Sequence, residues 1–458
     1  IHTFEAVWSF PSQRSVPLMV IALVGTGIYA TIRLGFPQIN FLKHGINVTR
    51  GTYDNPEDEG DLNHFKALTT ALSATVGIGN IAGVALAIAL GGPGATFWMI
   101  VCGLLGMSTK FVECTLGVYY RDVDEDGVVY GGPMYYISKG LKSKGFKTLG
   151  TIAASLFAVF CIGGSFGGGN AAQSNQATIV IKNLFGYEST FAGAMIGIVL
   201  ATLVGVIIIG GIKRIASVTE KVVPFMALLY ILACIYILTI NFSFIDDAIA
   251  LIIREAFNPT AVGVGGIIGV LMVGFQRAAF SNEAGAGSAS IAHSAVKTKY
   301  AASEGLVALL EPFIDTVVIC TMTALVIITF NSTGAFVYGG DGMGGVMIDG
   351  VMYEGAGITQ KAFAQYIPGS DIFLTIAVVL FAVSTMISWS YYGLQSWKFL
   401  FGRGRVADLT YKVLFLMFVV IGAAASMNSI WAFSDAMIFA MVFPNMIGLY
   451  FLFPIVKE

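Results

Sequence analysis

Long apolar runs alternate with short polar connections along the whole chain. Eleven of these runs are long enough to cross the hydrocarbon core of a bilayer, for which roughly 17–25 apolar residues suffice. They lie near residues 14–35, 66–91, 94–119, 148–181, 189–212, 219–241, 260–290, 302–330, 370–398, 408–426 and 429–456. The pattern therefore predicts an all-α polytopic membrane protein with eleven transmembrane helices.

Glycines interrupt the second run near its middle, where residues 73–80 read SATVGIGN. The backbone N–H and C=O groups that a broken helix frees cannot face lipid, so such breaks persist where these groups bind something or line a wet cavity. Transporters use broken helices of this kind to hold substrate and ion. The second run is therefore the first candidate for a binding site.

A similar interruption lies in the seventh run, where residues 274–277 read GFQR and residues 281–287 read SNEAGAG. If the first run is set aside, ten runs remain, and each group of five opens with a broken helix. Because five spans reverse the orientation of the chain, the two groups are predicted to be inverted repeats with a site at the midplane between them. The alternative is that these glycines only allow helices to pack closely.

This duplication predicts three parts of the chain. Residues 1–65 would form an extra amino-terminal helix and a cytoplasmic loop. Residues 66–241 would form the first five-helix repeat, and residues 242–458 would form the second.

Composition and charge agree with a membrane protein and orient it. The chain is 56% hydrophobic and 11% charged, whereas soluble domains carry about 25% charged residues. Nineteen Lys and Arg residues lie in one set of connections, and four, including Arg14, lie in the other. The excess of basic residues on cytoplasmic loops predicts an outside amino terminus and a cytoplasmic carboxyl terminus in the cell membrane. We expect a lipid bilayer and a small solute as partners and no nucleic acid, and the oligomeric state stays open.

Signals of an enzyme are missing from the sequence. The five cysteines lie within apolar runs without C-x-x-C spacing, and the four histidines lie in polar connections or at the ends of runs. None of the spacings of a metalloprotease helix, a nucleophile elbow or a phosphate-binding loop occurs. The sequence therefore favours a protein that is not an enzyme.

Polar and small residues within the runs indicate instead a site for an ion and a zwitterion. Unwinding near the second run's glycines would free carbonyls for a cation and amides for a carboxylate. The ninth run adds two adjacent hydroxyls, although such residues commonly bond only to their own helix. The predicted substrate-binding residues are Thr75, Gly77, Gly79, Asn80, Ser165, Phe166, Gly168, Gly274, Phe275, Gln276 and Trp389.

Acidic residues inside membrane spans are costly and indicate function. Glu311 and Asp315 lie one helical turn apart in the eighth run. They are interpreted either as partners of Arg277 in an ion pair or as groups for gating or proton traffic.

Three motifs give the chain a family resemblance. SATVGIGNIAGVA (73–85), GGPGATFWMIVCGLLGMSTKF (91–111) and FSNEAGAGSASIAH (280–293) resemble the alanine/glycine:cation symporter family. That family belongs to the amino acid–polyamine–cation superfamily and has the LeuT-type fold. One departure is Ile100, where the family often has a second tryptophan.

The resemblance implies a sodium ion as the coupled ion and implies its ligands. They would be the carbonyls of Ser73, Val76 and Phe381 and the side chains of Ser384 and Thr385. Such an all-oxygen set suits a hard cation. A second sodium site of the superfamily uses an asparagine where this chain has Ala74.

The resemblance also implies a function, namely sodium-coupled import of a small neutral amino acid, alanine or glycine, by alternating access. In this interpretation amides near Gly77 and Gly79 bind the substrate carboxylate, and groups around residues 274–276 bind its ammonium. Phe166 and Trp389 would enclose the substrate side chain. Two alternatives stay open: a proton-coupled amino acid transporter, and an ion channel whose broken helices form a filter.

Overall fold

The structure, a computed structural model, describes residues 18–458 except residues 56, 126, 188, 260–265, 341 and 343. Arg14 and the first residues of the first and seventh predicted spans lie outside the described residues. The remainder is almost entirely helical, with two short antiparallel hairpins.

The helices of the first half are, in chain order, α1 (Leu18–Arg33), α2 (Pro37–Asn40), α3 (Leu42–Thr49), α4 (His64–Thr75), α5 (Ala82–Gly91), α6 (Gly94–Tyr119), α7 (Pro133–Ser143), α8 (Lys147–Phe166), α9 (Ala172–Phe185), α10 (Thr190–Ile208) and α11 (Gly211–Ile240). Those of the second half are α12 (Ile245–Phe257), α13 (Gly266–Asn282), α14 (Ala289–His293), α15 (Ala301–Ala308), α16 (Leu310–Pro312), α17 (Thr321–Phe330), α18 (Ala356–Tyr366), α19 (Ser370–Phe401), α20 (Arg405–Ala424) and α21 (Met427–Lys457).

Shorter elements join these helices. The strands are β1 (Asp122–Val123), β2 (Val129–Tyr130), β3 (Gly345–Ile348) and β4 (Val351–Glu354). Tight 3₁₀ turns cover Ile78–Asn80, Phe242–Phe244 and Asn331–Thr333, and wider π-helical turns cover Gly167–Ala171 and Phe313–Cys320.

Each of the eleven predicted spans overlaps a helix, but not all of these helices are long enough to count as spans by themselves. Within the described residues, eight helical segments have the length and hydropathy of a span, and the bent pair α4 and α5 makes a ninth. Helix α1 is apolar but has 16 residues, and α13 has 17 described residues. The chain is a multi-pass membrane protein, while the count of eleven and the inverted repeat stay predictions.

The first predicted break is present between α4 and α5, whose axes differ by 57°. Gly77 is extended there, with φ −136° and ψ −150°. Two side chains replace the lost helical bonds: Asn80 Oδ1 accepts from the amide of Gly77 at 2.9 Å, and Gln173 Oε1 accepts from that of Ile78 at 3.2 Å. The break is thus held open by polar side chains in an otherwise apolar core.

Of the second predicted break, only the part after residue 282 is present. Helix α13 runs without interruption through residues 274–277 and ends at Asn282. Glu283, Gly285 and Gly287 then adopt positive φ angles of 56°, 90° and 86°, and the chain resumes as the short helix α14. Glycine adopts such angles without strain, so the two glycines allow the turn. Glu283 adopts this conformation with a side chain present.

Segments predicted to share the cytoplasmic side meet at one end of the molecule. The guanidinium of Arg121 donates to four carbonyls, those of Glu59 at 2.8 Å, Ser294 at 2.9 Å, Val296 at 2.5 Å and Thr298 at 3.2 Å. We call this end the Arg121 end. The common location agrees with the predicted topology, and which side of the membrane it faces stays a prediction.

The segments predicted to be outside meet at the opposite end. The amide of Gly339 donates to the carbonyl of Ala89 at 2.7 Å, and strands β3 and β4 pair with Gly345 opposite Glu354. This end therefore carries a two-stranded hairpin, with residues 341 and 343 outside the described part.

Large apolar side chains cover the outer faces of several helices. Phe191 and Val199 on α10, Phe225 on α11 and Ile421 on α20 are all exposed. Exposed apolar surface of this extent marks a site of contact with a partner or a membrane. In a chain with so many apolar spans, it is the surface that faces lipid.

Candidate functional site

A small closed cavity lies between the two broken helices. It offers about 10 Å³ of space for the centre of a water molecule, which is about enough for one water. Its lining consists of Ala74, Thr75, Gly79, Gly168, Gln173, Phe280, Glu283, Trp389 and Ile438. These residues come from both breaks, from the π-helical turn after α8 and from α19 and α21. All the side chains in the lining are buried.

Four of the predicted substrate residues line this cavity, namely Thr75, Gly79, Gly168 and Trp389. Gly77 and Asn80 lie beside them in the first break and bond to each other. The structure thus brings together the residues predicted from the second and ninth runs and one residue from the fourth.

Two residues predicted from the fourth run lie on another face. Phe166 stacks on Phe418 with 4.6 Å between ring centroids, and the hydroxyl of Tyr411 donates to Ser165 Oγ at 2.9 Å. The π-helical turn Gly167–Ala171 begins directly after Phe166. A π turn contains an extra residue, so it rotates the following residues relative to a regular α-helix. Gly168 faces the cavity, and Phe166 packs against α20.

The three residues predicted from the seventh run also lie away from the cavity. An added Cβ at Gly274 would lie 2.6 Å from the carbonyl oxygen of Ala95, so this glycine serves close packing of α13 on α6. The Phe275 ring lies 6.3 Å from that of Trp98, and Gln276 Nε2 donates to Asp435 Oδ2 at 3.4 Å. The chain reaches the cavity about one turn later, at Phe280.

The sequence interpretation missed five lining residues: Ala74, Gln173, Phe280, Glu283 and Ile438. A polar side chain in an apolar run was the available signal for Gln173, which also donates to the carbonyl of Gly168 at 2.9 Å. Glu283 carried a stronger signal, because it is an acidic residue inside an interrupted run.

Glu283 is the acidic group of the cavity, and two neutral donors hold it in place. Trp389 Nε1 donates to Glu283 Oε1 at 2.8 Å, and the hydroxyl of Ser288 donates to Oε2. Each carboxylate oxygen can accept more than one hydrogen bond. Glu283 therefore retains acceptor capacity toward the cavity.

Four of the five predicted sodium ligands, all but Val76, are joined by hydrogen bonds where α4 crosses α19. Thr385 Oγ1 donates to the carbonyl of Ser73 at 3.0 Å, and Ser73 Oγ donates to the carbonyl of Ser384 at 2.6 Å. Ser384 Oγ donates to the carbonyl of Phe381 at 2.9 Å. Val76 is buried at the end of α4. Hydroxyls and carbonyls from two helices thus form an oxygen-rich set, which fits a hard cation.

A second oxygen-rich group surrounds Asp315, in the π-helical turn Phe313–Cys320. Asn80 Nδ2 donates to Asp315 Oδ1 at 2.6 Å, Ser281 Oγ to Oδ2 at 2.9 Å, and Thr316 Oγ1 to Oδ2 at 2.7 Å. Among the described residues, the hydrogen-bond partners of this carboxylate are all neutral. Asp315 therefore connects the first break with the second without a cation at hydrogen-bond distance.

Arg277 pairs with Asp435 rather than with Glu311 or Asp315. Its guanidinium contacts Asp435 Oδ2 and lies over the rings of Phe280 and Trp431, 5.6 Å and 5.4 Å from their centroids. This group joins α13 to α21 beside Phe280, which lines the cavity, through an ion pair and through contacts of the guanidinium with the rings.

Comparisons with known proteins identify the family of the chain. The model of the sodium:alanine symporter family matches residues 3–458. The sodium/alanine symporter AgcS of Methanococcus maripaludis is 41% identical over 437 residues, which are 95% of this chain and 92% of that protein. The Bacillus subtilis "probable sodium/glutamine symporter GlnT" is 33% identical, with 96% of this chain and 86% of that protein covered.

Solved structures show the same fold at low sequence identity. MhsT in complex with L-phenylalanine matches with a TM-score of 0.53 and 14% identity, over 87% of this chain and all of that one. A manganese transporter of Eremococcus coleocola matches with a TM-score of 0.51 and 13% identity, over 89% of this chain and 82% of that one. These neighbours are LeuT-fold transporters.

Proposed function

This chain belongs to the sodium:alanine symporter family, and from that premise we propose that it imports alanine or glycine together with sodium by alternating access. Its family and its relatives are transporters, so the chain is a transporter and not an enzyme. Relatives of comparable identity carry names that state alanine in one case and glutamine in another. The choice among substrates therefore has to come from the site.

The observation that carries the proposal is the closed cavity between the two breaks. Its width is set by Trp389, Phe280 and Ile438, all of them nearly inaccessible to solvent. An added Cβ at Gly168 would lie 2.4 Å from Ile438 Cδ1. The cavity as it stands has room for about one water, so it has to widen to admit any amino acid. With backbone and rings this close, alanine and glycine require the least widening, which supports them as substrates.

The two charged ends of the substrate have separate partners in this proposal. The carboxylate binds the amide of Gly79, since the amides of Gly77 and Ile78 already donate to Asn80 and Gln173. The ammonium faces the carboxylate of Glu283, which replaces the groups of residues 274–276 in that role. Opposite charges at the two ends of one small cavity fix the orientation of a zwitterion.

Sodium binds the set formed by Ser73, Val76, Phe381, Ser384 and Thr385. Its carbonyl and hydroxyl oxygens come from α4 and α19, so an ion held there ties the inner half of the first broken helix to α19. By holding these two helices together, the bound ion would favour the conformation that binds substrate.

A proton or a second cation at Asp315 is the second candidate for coupling. The supporting observation is a buried carboxylate whose described hydrogen-bond partners are all neutral. A bound cation or proton would neutralise it. Glu311 suits this role less well, because Lys110 and His293 already contact it.

Uptake by purified protein in proteoliposomes tests the proposal. Labelled alanine, glycine and leucine are offered under an inward sodium gradient and, separately, under an inward proton gradient. We expect saturable accumulation of alanine and glycine driven by sodium and poor competition by leucine. Accumulation driven only by protons would favour the Asp315 alternative, and flux that neither saturates nor accumulates substrate would favour a channel.

A further inference from the structure

Five ionisable side chains form a continuous buried line that the proposed transport site does not use. In order, they are His64, Glu304, His293, Glu311 and Lys110, and we call them the inner line. All five side chains are buried. The line starts near the Arg121 end and leads into the core.

Direct contacts join each member to the next. His64 Nδ1 contacts Glu304 Oε2, and His293 Nδ1 lies 2.5 Å from Glu304 Oε1. His293 Nε2 contacts Glu311 Oε1, and Lys110 Nζ donates to Glu311 Oε2 at 3.0 Å. Each carboxylate is therefore held by two nitrogen-bearing groups.

The inner line connects α4, which has to move during alternating access, to the neighbouring helices. His64 is the first residue of α4, the inner half of the first broken helix, and Glu304 lies on α15. His293 lies on α14 after the second break, and Lys110 lies on α6. If α4 swings away to open a path toward the Arg121 end, the contact between His64 and Glu304 has to part.

The contacts also require one more proton than neutral histidines supply. Three contacts join a ring nitrogen to a carboxylate oxygen, and each needs one hydrogen. A neutral imidazole carries a single N–H, so two neutral rings supply two. With both carboxylates ionised, one further proton completes the set.

The same proton balances the charge of the inner line. Lys110 contributes one positive charge, and Glu304 and Glu311 contribute two negative charges. A buried charge without a counter-charge is expensive. One added proton brings the five side chains to neutrality, in agreement with the count of hydrogens.

We propose that the inner line is a proton-binding latch of the inner gate. It holds one proton while α4 is docked, and it exchanges that proton with the aqueous phase through His64 when the gate opens. His64 Nε2 lies 3.8 Å from the partly exposed carboxylate of Asp54, which marks the route to solvent. The proposal rests on the proposed function only in that the protein alternates access.

Other titratable and charged groups surround the inner line. Arg121 and Asp54 lie near the His64 end of the line. Glu113, Cys114 and Glu283 surround its Lys110 end. Asn445 Nδ2 donates to Glu113 at 2.6 Å, so this carboxylate has a partner of its own.

The direction of the pH effect follows from linkage. The docked state binds the proton more tightly than the open state, so lower pH favours the docked state and higher pH favours opening. One proton exchanged per opening changes the gating equilibrium by up to tenfold for each pH unit. Transport whose rate is limited by the opening of the inner gate should therefore slow as the pH falls.

Equilibrium exchange of labelled alanine tests the latch without a pH gradient. Proteoliposomes carry the same pH, from 5.5 to 8.5, and the same saturating sodium on both sides. We expect wild-type exchange to slow toward low pH by up to tenfold per unit and the exchange of Glu304→Gln to depend little on pH. That variant keeps a hydrogen-bonding side chain and leaves the line neutral without the extra proton. His44→Gln, an exposed histidine outside the line, should behave like wild type.

A second variant and a measurement without substrate complete the test. His64→Gln keeps one donor toward Glu304, while His293 still needs two hydrogens for its two carboxylate contacts, so this variant should keep the extra proton and the pH slope of wild type. In potentiometric titration of purified protein between pH 9 and 5, wild type should bind about one proton more than Glu304→Gln.

These readouts separate the latch from the proposed function. Alanine exchange at pH 7.5 reports the function, and the difference in bound protons reports the latch even if alanine is not the substrate. Equal proton counts in wild type and Glu304→Gln, or equal pH slopes in the two, would overturn the latch.

Discussion

At the residue scale, Glu283 combines an unfavourable backbone with a buried charge. A positive φ costs a residue with a side chain on the order of 1–3 kcal/mol, and such strain persists where the surrounding structure requires it. The neighbouring positive-φ positions 285 and 287 are glycines. Keeping a carboxylate at position 283 thus works against stability, which supports a role in binding.

Glu283→Gln is expected to weaken substrate binding while it leaves the fold unchanged. The amide retains an oxygen for Trp389 but loses the charge that faces the substrate ammonium. A hydrogen bond to a charged group contributes about 1.5–3 kcal/mol, so the KM for alanine should rise roughly tenfold to 150-fold. Uptake kinetics measure this change.

Two further variants make that experiment specific. Glu283→Gly relieves the backbone strain but leaves the buried donors of Trp389 and Ser288 without their acceptor, so it should abolish uptake without a gain in thermal stability. Glu57→Gln, on an exposed loop, should change neither property. A normal KM for Glu283→Gln would place the ammonium elsewhere.

Thr385→Ala is expected to weaken the dependence of transport on sodium. One hydroxyl is lost from the oxygen-rich set that Thr385 forms with the carbonyl of Ser73. An interaction of about 1–2 kcal/mol corresponds to roughly a fivefold to thirtyfold rise in half-saturating sodium. Ser384→Ala should act in the same direction.

Ser388→Ala is the matched control for these hydroxyl variants. Ser388 lies one turn further along α19 and is buried, and its hydroxyl has no hydrogen-bond partner within the described part of the chain. Its removal should leave the sodium curve unchanged. A sodium curve that does not move in Thr385→Ala or in Ser384→Ala would remove this site from consideration.

At the element scale, the π-helical turn Gly167–Ala171 allows α19 and α21 to approach α8 and α9. An added Cβ at Gly169 would lie 2.2 Å from Trp389 Cγ, and one at Gly168 would lie 2.4 Å from Ile438 Cδ1. Cβ atoms do not occur at such distances without a shift of their neighbours. The turn therefore sets the distance between Trp389 and the rest of the cavity wall.

Gly168→Leu is expected to abolish uptake because its side chain would occupy the cavity. Gly168→Ala meets only the end of a flexible isoleucine, so it should retain partial uptake with a lower tolerance for substrate size. Gly83→Ala, where an added Cβ meets no atom within 4 Å, is the control and should transport normally. Normal uptake by a well-expressed Gly168→Leu would show that this glycine serves helix packing alone.

The sequence predicted the elements of this site better than the faces of its helices. Glycines and polar residues in an apolar run indicate a break, and both runs contain one, although the second lies after residue 282 and not at residues 274–277. The sequence groups Phe166 with Gly168 because the two are neighbours in a glycine-rich segment, although residues two positions apart do not share a helix face. The π turn that begins after Phe166 also leaves no mark in the periodicity. Gly274 shows the converse case, because a glycine needed for packing on α6 has the same sequence signature as one near a ligand.

The contacts within the inner line could not be predicted from the sequence, for a different reason. His64 and Glu304 are separated by 240 positions, and both lie next to polar connections, where solvated side chains are the ordinary expectation. Their contact results from the way in which the two halves of the chain pack. A single sequence contains no record of that packing.

At the scale of the whole molecule, the two ends collect different sets of connections. Val337→Cys, at an exposed position beyond α17, should be labelled by a membrane-impermeant thiol reagent from outside the cell. Lys144→Cys, at an exposed position after α7, should be labelled only after permeabilisation. The opposite pattern would reverse the predicted orientation and the direction of access.

The Arg121 end has a consequence for how the protein is made. Arg121 belongs to the first half of the chain, whereas three of the four carbonyls that it binds, at Ser294, Val296 and Thr298, belong to the second. At a synthesis rate of roughly 5–20 residues per second, these acceptors are synthesised on the order of 10–35 s after Arg121. During that interval the first half sits in the membrane with this guanidinium lacking most of its partners. A chain that terminates before residue 294 would therefore lack three of the four acceptors of Arg121 and could not close this end.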